Sequence, residues 1–190
     1  MDLQKLGIKL YLDPATAPSD ASVLVPVFQV WLQKGALKGL WIDAVDYSHV
    51  PEGPGAVLVG HEANLSYERG SQGPCLFFAR KTPMEGSLAD RALLVLRGAV
   101  QAAGLLEKEN SLKPLLRFLA SRLDLVVQDR LGAPNTDKTF QSMSADLEAF
   151  LGKILRGRKA VLRREADSQL PFAVHVTWTG MGSLGDLDLG

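Results

Sequence analysis

The densest group of side chains able to do chemistry lies between residues 41 and 62. Histidines and carboxylates act as acid/base catalysts and metal ligands, and an aromatic ring beside carboxylates can hold a cation or an amine. The candidate ligand-binding residues in this segment are Trp41, Asp43, Tyr47, His49, His61 and Glu62. Whether they form a site depends on how the local strands orient them.

Two strand-like runs, residues 39–47 and 56–67, flank the Pro- and Gly-rich sequence SHVPEGPG. This pattern predicts a β-hairpin with a long loop. Neighbouring side chains point to opposite faces of a strand, so His61 and Glu62 should face opposite sides of the sheet. They would then not serve one metal ion.

The register of this hairpin decides which candidates share a face. A symmetric closure of the loop pairs Tyr47 with Ala56 and Asp43 with Gly60. A shift of one residue would regroup every side chain. With the symmetric register, the shared face carries Trp41, Asp43, Tyr47 and Glu62.

Sequence motifs for metal, cofactor or nucleophilic chemistry do not occur. There is no HExxH, CxxC or GxSxG, and the glycines of GPGAVLVG precede a strand rather than open a helix. We therefore predict no metal site and no cofactor. His175 lies between Val174 and Val176, and both it and His61 are expected to be hydrogen-bonded structural histidines.

A basic cluster spans the C-terminal end of the third predicted helix. Cations near a helix C-terminus stabilise its exposed carbonyls, and this cluster lacks the interleaved aromatic residues of a nucleic-acid site. We expect a solvated surface and no nucleic-acid partner. Its members are Lys153, Arg156, Arg158, Lys159, Arg163 and Arg164.

Composition sets the class of protein. The 190 residues are 46% apolar and 22% charged, and 21 basic residues balance 21 acidic ones, so we expect one globular domain without a strong overall field. The single cysteine, Cys75, lies beside apolar residues, which predicts a buried thiol in a reducing cytoplasm. The longest apolar helix, residues 88–106, contains charged residues and should not cross a membrane.

The order of predicted elements indicates an α+β fold. Strands and helices alternate so that residues 8–67 and 123–178 read as two βαββ halves, an internal duplication. We expect one mainly antiparallel or mixed sheet with helices packed on one face. The domain should span residues 1–180, and residues 181–190 should form a flexible tail. The apolar run Leu93–Leu96 in the long helix predicts a homodimer or other homo-oligomer.

The doubled βαββ order resembles the gyrase-inhibitory-protein-like ligand-binding folds, in which two such halves form a cleft and an acidic residue can receive a cationic ligand. The first half, with CLFFAR added, also resembles the βαβββ unit of vicinal oxygen chelate enzymes. The His and Glu ligands of that family are not visible at matching ends of the two halves.

Two hypotheses of function follow. The first is a non-enzymatic domain that binds a small molecule or a protein partner at the cleft or the sheet face. The alternative is a small hydrolase or isomerase that uses Glu62 with His61 or His49 in acid/base roles. An enclosed pocket in which Glu62 and a histidine converge would favour the enzyme.

Overall fold

A computed structural model describes residues 2–51 and 53–190, and it shows an antiparallel sheet of eight strands with three α-helices. The order across the sheet is β2-β3-β4-β5-β1-β6-β8-β7. The strands are β1 (Leu6–Leu12), β2 (Trp41–Asp46), β3 (Ala56–Gly60), β4 (Ala63–Gly70), β5 (Gly73–Arg80), β6 (Phe118–Val127), β7 (Ala160–Arg164) and β8 (Phe172–Trp178). The predicted α+β class is confirmed.

Local sequence signals mark several ends of the three helices. They are α1 (Val25–Lys34), α2 (Leu88–Glu107) and α3 (Asp137–Leu155). Gly35 ends α1 in the left-handed conformation, with φ of 59°. Ser87 and Asp90 form a reciprocal capping box at the start of α2, and Thr136 caps α3.

All three helices lie on one face of the sheet. Helix α2 packs on β1, β5 and β6, α1 packs on β2 and β3, and α3 packs on α2 and β7. Alternation along β1 puts Leu6, Ile8 and Leu10 into the core that these helices cover. The alternate residues of β1, including Lys9 and Tyr11, point to the other side of the sheet, which we call the open face.

The internal duplication is not confirmed, because the two halves order their strands differently. In the second half, β8 lies directly between β6 and β7. In the first half, β1 pairs with β5 and β6, and two strands separate it from β3. The additional β4–β5 hairpin occupies the place next to β1.

The first hairpin also departs from its prediction. The run 56–67 is two strands, β3 and β4, because the chain turns at His61 and Glu62. Strand β2 pairs Asp46 with Ala56 and Asp43 with Val59, one residue away from the symmetric register, and a bulge follows Trp41. His61 and Glu62 therefore lie in the turn between β3 and β4 and do not alternate across one strand.

The C-terminal segment packs on the body of the protein, whereas the sequence favoured a flexible tail. Leu184 and Leu187 are buried in the main core. The backbone N–H of Asp188 donates to the carbonyl of Ile154, at the end of α3. The apolar residues of this C-terminal segment therefore contribute to the packing around α3.

In the described part of the chain, no helix is long and apolar enough to cross a membrane.

Candidate functional site

The open face carries a row of charged residues across four adjacent strands. The register pairs Lys9 on β1 with Asp124 on β6, Asp124 with His175 on β8, and His175 with Arg163 on β7. Each residue interrupts an apolar alternation at a position that faces away from the helices. Directly paired side chains on an antiparallel sheet are near neighbours, so the sheet itself brings these groups together.

Asp124 is the centre of this row and is only 3% exposed. Its Oδ2 accepts a hydrogen bond of 2.5 Å from the Tyr11 hydroxyl, and its Oδ1 lies 3.0 Å from His175 Nδ1. The second contact is not aligned as a hydrogen bond, so it acts mainly as a charge contact. A buried carboxylate needs such partners, because an isolated buried charge is strongly destabilising.

His175 lies between two carboxylates. Its Nε2 is 3.3 Å from Glu165 Oε2, while Nδ1 faces Asp124. The contact with Asp124 raises the pKa of the His175 imidazolium, partial burial opposes that rise, and the charge of Glu165 adds to it. The charged imidazolium is the form that matches these neighbours.

Tyr11 is held as a neutral donor. Burial raises the pKa of its hydroxyl well above the usual range, and the charge of Asp124 raises it further. The Arg122 guanidinium lies 3.5 Å from the centre of the Tyr11 ring, an attractive cation–π contact. Arg122 and Asp124 therefore contact different parts of the same side chain, the ring and the hydroxyl of Tyr11.

A second ion pair lies beside this row. Lys9 Nζ is 2.9 Å from Glu68 Oε2 and lies over the Phe77 ring, 5.1 Å from its centre. Burial lowers the pKa of the Lys9 amine, but the Glu68 carboxylate outweighs it, so the net shift is upward. Burial raises the pKa of the nearby Cys75 thiol to about 12, which leaves it protonated and unreactive at neutral pH.

These groups line a cavity of about 770 Å³ on the open face, which we call the main cavity. Its apolar wall comes from Phe77, Val126 and Ala173, which with Ala79 form a buried cluster separate from the main core. Loop residues at 53–54, 70–73 and 170–171 complete the lining.

A smaller cavity of about 340 Å³ adjoins it and shares Asp124 and His175 with it. Arg122 and Arg163 also line this space, which we call the arginine cavity. Arg122 is half-buried and Arg163 is exposed.

The residues that the sequence favoured do not converge. Trp41 packs on the helix side, against Phe78, whereas Asp43 is exposed on β2. His61 is exposed in the β3–β4 turn, and Glu62 pairs with Arg80 at 2.8 Å. Tyr47 and His49 stack on each other near the long loop, with ring centres 6.5 Å apart. None of the six lines the main cavity.

Three members of the basic cluster at the end of α3 that the sequence singled out form ion pairs with acidic residues. Lys153 pairs with Asp90, Arg156 with Asp188, and Arg164 with Asp137. These pairs connect α3 and β7 to neighbouring segments. Arg163 differs, since it points to the open face.

Sequence reasoning named His175 only as a structural histidine and Arg163 only as part of the basic cluster. It did not group the residues of the row, because they are far apart in the chain. A usable signal was present, since Asp124 interrupts the run LDLVV and His175 interrupts FAVHV. A charged residue inside an apolar strand needs a partner on a neighbouring strand. The identity of that strand depends on the sheet order.

In the described chain, no group of three or more His, Cys, Asp or Glu residues is arranged to hold a metal ion. Comparison of the chain with protein families, with curated proteins and with solved structures finds no match in any of the three.

Proposed function

We propose that this protein is a non-enzymatic binding protein that holds a small organic molecule on the open face of its sheet. The observation that carries the proposal is the main cavity, whose volume of about 770 Å³ is suited to a small-molecule ligand. It combines an apolar wall with a few fixed polar groups, the usual composition of such sites.

The polar contacts favour binding over catalysis. Both ring nitrogens of His175 face carboxylates, so neither is free to exchange a proton with a substrate. The Tyr11 hydroxyl donates to Asp124. Fixed groups of this kind orient a ligand. The alternative enzyme, which would use Glu62 with His61 or His49, has less support because these residues lie outside the cavity.

A neutral fluorescent probe, N-phenyl-1-naphthylamine, tests the proposal. We expect saturable fluorescence enhancement with about one probe per chain, since the apolar wall can hold its rings. Ala173→Trp should strongly reduce the enhancement, because the indole would occupy the space against the apolar wall where the rings of the probe would lie. Ala149→Trp, at an exposed position of α3, is the matched control and should bind as the unmodified protein does.

Circular dichroism verifies that both variants fold. If Ala173→Trp does not fold, Val126→Phe adds a smaller group to the same wall and takes its place. Failure of the unmodified protein to bind the probe, or equal binding by the cavity-filled and control variants, would overturn the proposal.

The same proposal includes self-association as a homodimer through β2. This strand is at one edge of the sheet, so one side of its backbone faces no other described strand. Leu40, just before β2, is 65% exposed, and Ile42 on β2 is 62% exposed. An edge strand can pair with its copy about a two-fold axis, and the apolar side chains would be covered at the same time. The run Leu93–Leu96 supports this less, because Val95 and Leu96 are buried within the chain.

We place the binding function in the cytoplasm. Support comes from Cys75, the single cysteine, which is buried and has no second cysteine in this chain with which to form a disulfide. The proposed ligand is a small organic molecule. A nucleic-acid partner has no support from the basic cluster, because Arg156 and Arg164 pair with acidic residues of the protein.

A further inference from the structure

The main and arginine cavities differ in how their charges are satisfied. In the main cavity, Lys9 pairs with Glu68, and His175 lies between Asp124 and Glu165. Its third basic group is the guanidinium of Arg69, which donates to the carbonyl of Ser19. Two of the three basic groups of the main cavity, Lys9 and His175, are therefore compensated by carboxylates, whereas Arg69 donates to a backbone carbonyl.

The arginine cavity has uncompensated positive charge. Neither Arg122 nor Arg163 has a carboxylate within salt-bridge distance in residues 2–51 and 53–190. The one acidic residue lining it, Asp124, is engaged by Tyr11 and His175. Two guanidinium groups therefore face a space that holds no free anion of the protein.

Arg122 is positioned as well as charged. Its guanidinium lies against the Tyr11 ring, and its other contact is a long interaction of 3.5 Å with the carbonyl of Gln72. Arg163 makes no side-chain hydrogen bond among the described residues and lies beside His175 in the β7–β8 register. Guanidinium groups with unused N–H donors are suited to carboxylate and phosphate oxygens.

We propose that the ligand of the open face is an amphiphilic organic acid whose acid group binds Arg122 and Arg163 while its apolar part lies against Phe77, Val126 and Ala173. This inference rests on the proposed binding function and adds the chemical class of the ligand. The two cavities share Asp124 and His175, so one molecule can occupy both. The acid group is a carboxylate or a phosphate monoester, because both offer oxygens to the same donors.

Three probes with the same eight-carbon alkyl chain separate these possibilities: nonanoate, octyl phosphate and octanol. Calorimetric titration at low salt should show that at least one of the acids binds at least about tenfold more tightly than octanol, since the charged hydrogen bonds add to an equal apolar contact. The tighter of the two acids identifies the head group. Added salt should reduce this advantage, because screening weakens a partly exposed charge contact.

Variants test the placement of the acid group. Arg122→Gln and Arg163→Gln should each remove most of the advantage of the acid over octanol and leave octanol binding unchanged. Arg130→Gln is the matched control, because Arg130 is an exposed loop arginine outside both cavities. It should retain the full advantage.

The outcomes distinguish this inference from the proposed function. Equal binding of all three probes, or an advantage that survives both arginine variants, overturns the acid-group proposal while cavity binding stands. If the naphthylamine probe binds but none of the three alkyl probes does, the amphiphilic-acid class is wrong. If neither the naphthylamine nor any alkyl probe binds, both proposals fail together.

Discussion

The two faces of the sheet satisfy their residues in different ways. On the covered face, Ile8, Leu10 and Phe172 are fully buried and belong to one continuous apolar core. On the open face, Asp124 is nearly as buried but is satisfied by contacts with Tyr11 and His175. The covered face thus depends on packing, whereas the open face depends on specific partners and borders empty space. Substitutions should therefore have different effects on the two faces.

The largest expected effect comes from removing a ring from the covered face. Phe172→Ala should lower the free energy of unfolding by about 3 to 5 kcal/mol, because it leaves an enclosed cavity. Phe77→Ala on the open face should lower it by about 1.5 to 3 kcal/mol, since that ring already borders a cavity. Urea unfolding of both variants measures the difference. Equal losses would contradict the distinction between the faces.

A pair of glycines gives a finer comparison. A Cβ at Gly98 on α2 would lie 2.5 Å from the Phe78 ring, which is confined beneath the helix. Gly98→Ala should therefore lower the free energy of unfolding by about 1 to 2 kcal/mol, although alanine is the better helix former. A Cβ at Gly7 would lie 2.3 Å from the Phe77 ring, which can move into the main cavity, so Gly7→Ala should cost less than about 1 kcal/mol.

Thermal melts at matched ionic strength test this pair. The naphthylamine probe adds a second readout, because a displaced Phe77 ring should weaken its binding in Gly7→Ala and not in Gly98→Ala. A Gly7→Ala variant less stable than Gly98→Ala would mean that the open face is packed as rigidly as the covered one.

The open face should also make stability depend on pH. The pKa of His175 is raised in the folded state, so the stability that it contributes is fully present below its unfolded pKa of about 6.5 and is lost as the pH rises through the folded-state pKa. His175→Gln should therefore be less stable than the unmodified protein by about 1 kcal/mol at pH 5.5, allowing for solvent screening of a partly exposed ring. The difference should shrink above pH 8.

Urea unfolding across this pH range measures the effect. His49→Gln, in the exposed loop after β2, is the matched control, because it replaces a histidine that makes no ion pair among the described residues. A constant difference between His175→Gln and the unmodified protein at every pH would contradict the charge contacts with Asp124 and Glu165.

The smallest effects on stability are expected at exposed apolar residues. Ile42→Lys at the sheet edge and Leu94→Glu on α2, which is 44% exposed, should each change the free energy of unfolding by no more than about 0.5 kcal/mol. Sedimentation should nevertheless show a dimer for the unmodified protein, a monomer for Ile42→Lys and a dimer for Leu94→Glu. A monomeric unmodified protein at tens of micromolar would overturn the β2 dimer.

Much of the fold could be predicted because its signals are local. The alternation in β1, the capping residues of α2 and Gly35 after α1 each act within a few residues. The hairpin register could not be predicted, since a bulge after Trp41 and a turn at His61 depend on how neighbouring strands pair. The predicted grouping of candidate site residues on one face of the hairpin depended on that register, so it was wrong as well.

The sequence alone determined the α+β class, the single buried thiol of Cys75 and the element order apart from the division of residues 56–67 into two strands, because hydrophobic periodicity and capping are properties of short segments. Tertiary structure decided that β1 lies between β5 and β6. That placement brings Tyr11 to Asp124, 113 residues away in the chain, and β8 brings His175 to the other side of the same carboxylate. Periodicity assigns each of these residues to a face of its own strand, but only the order of strands decides which of them meet.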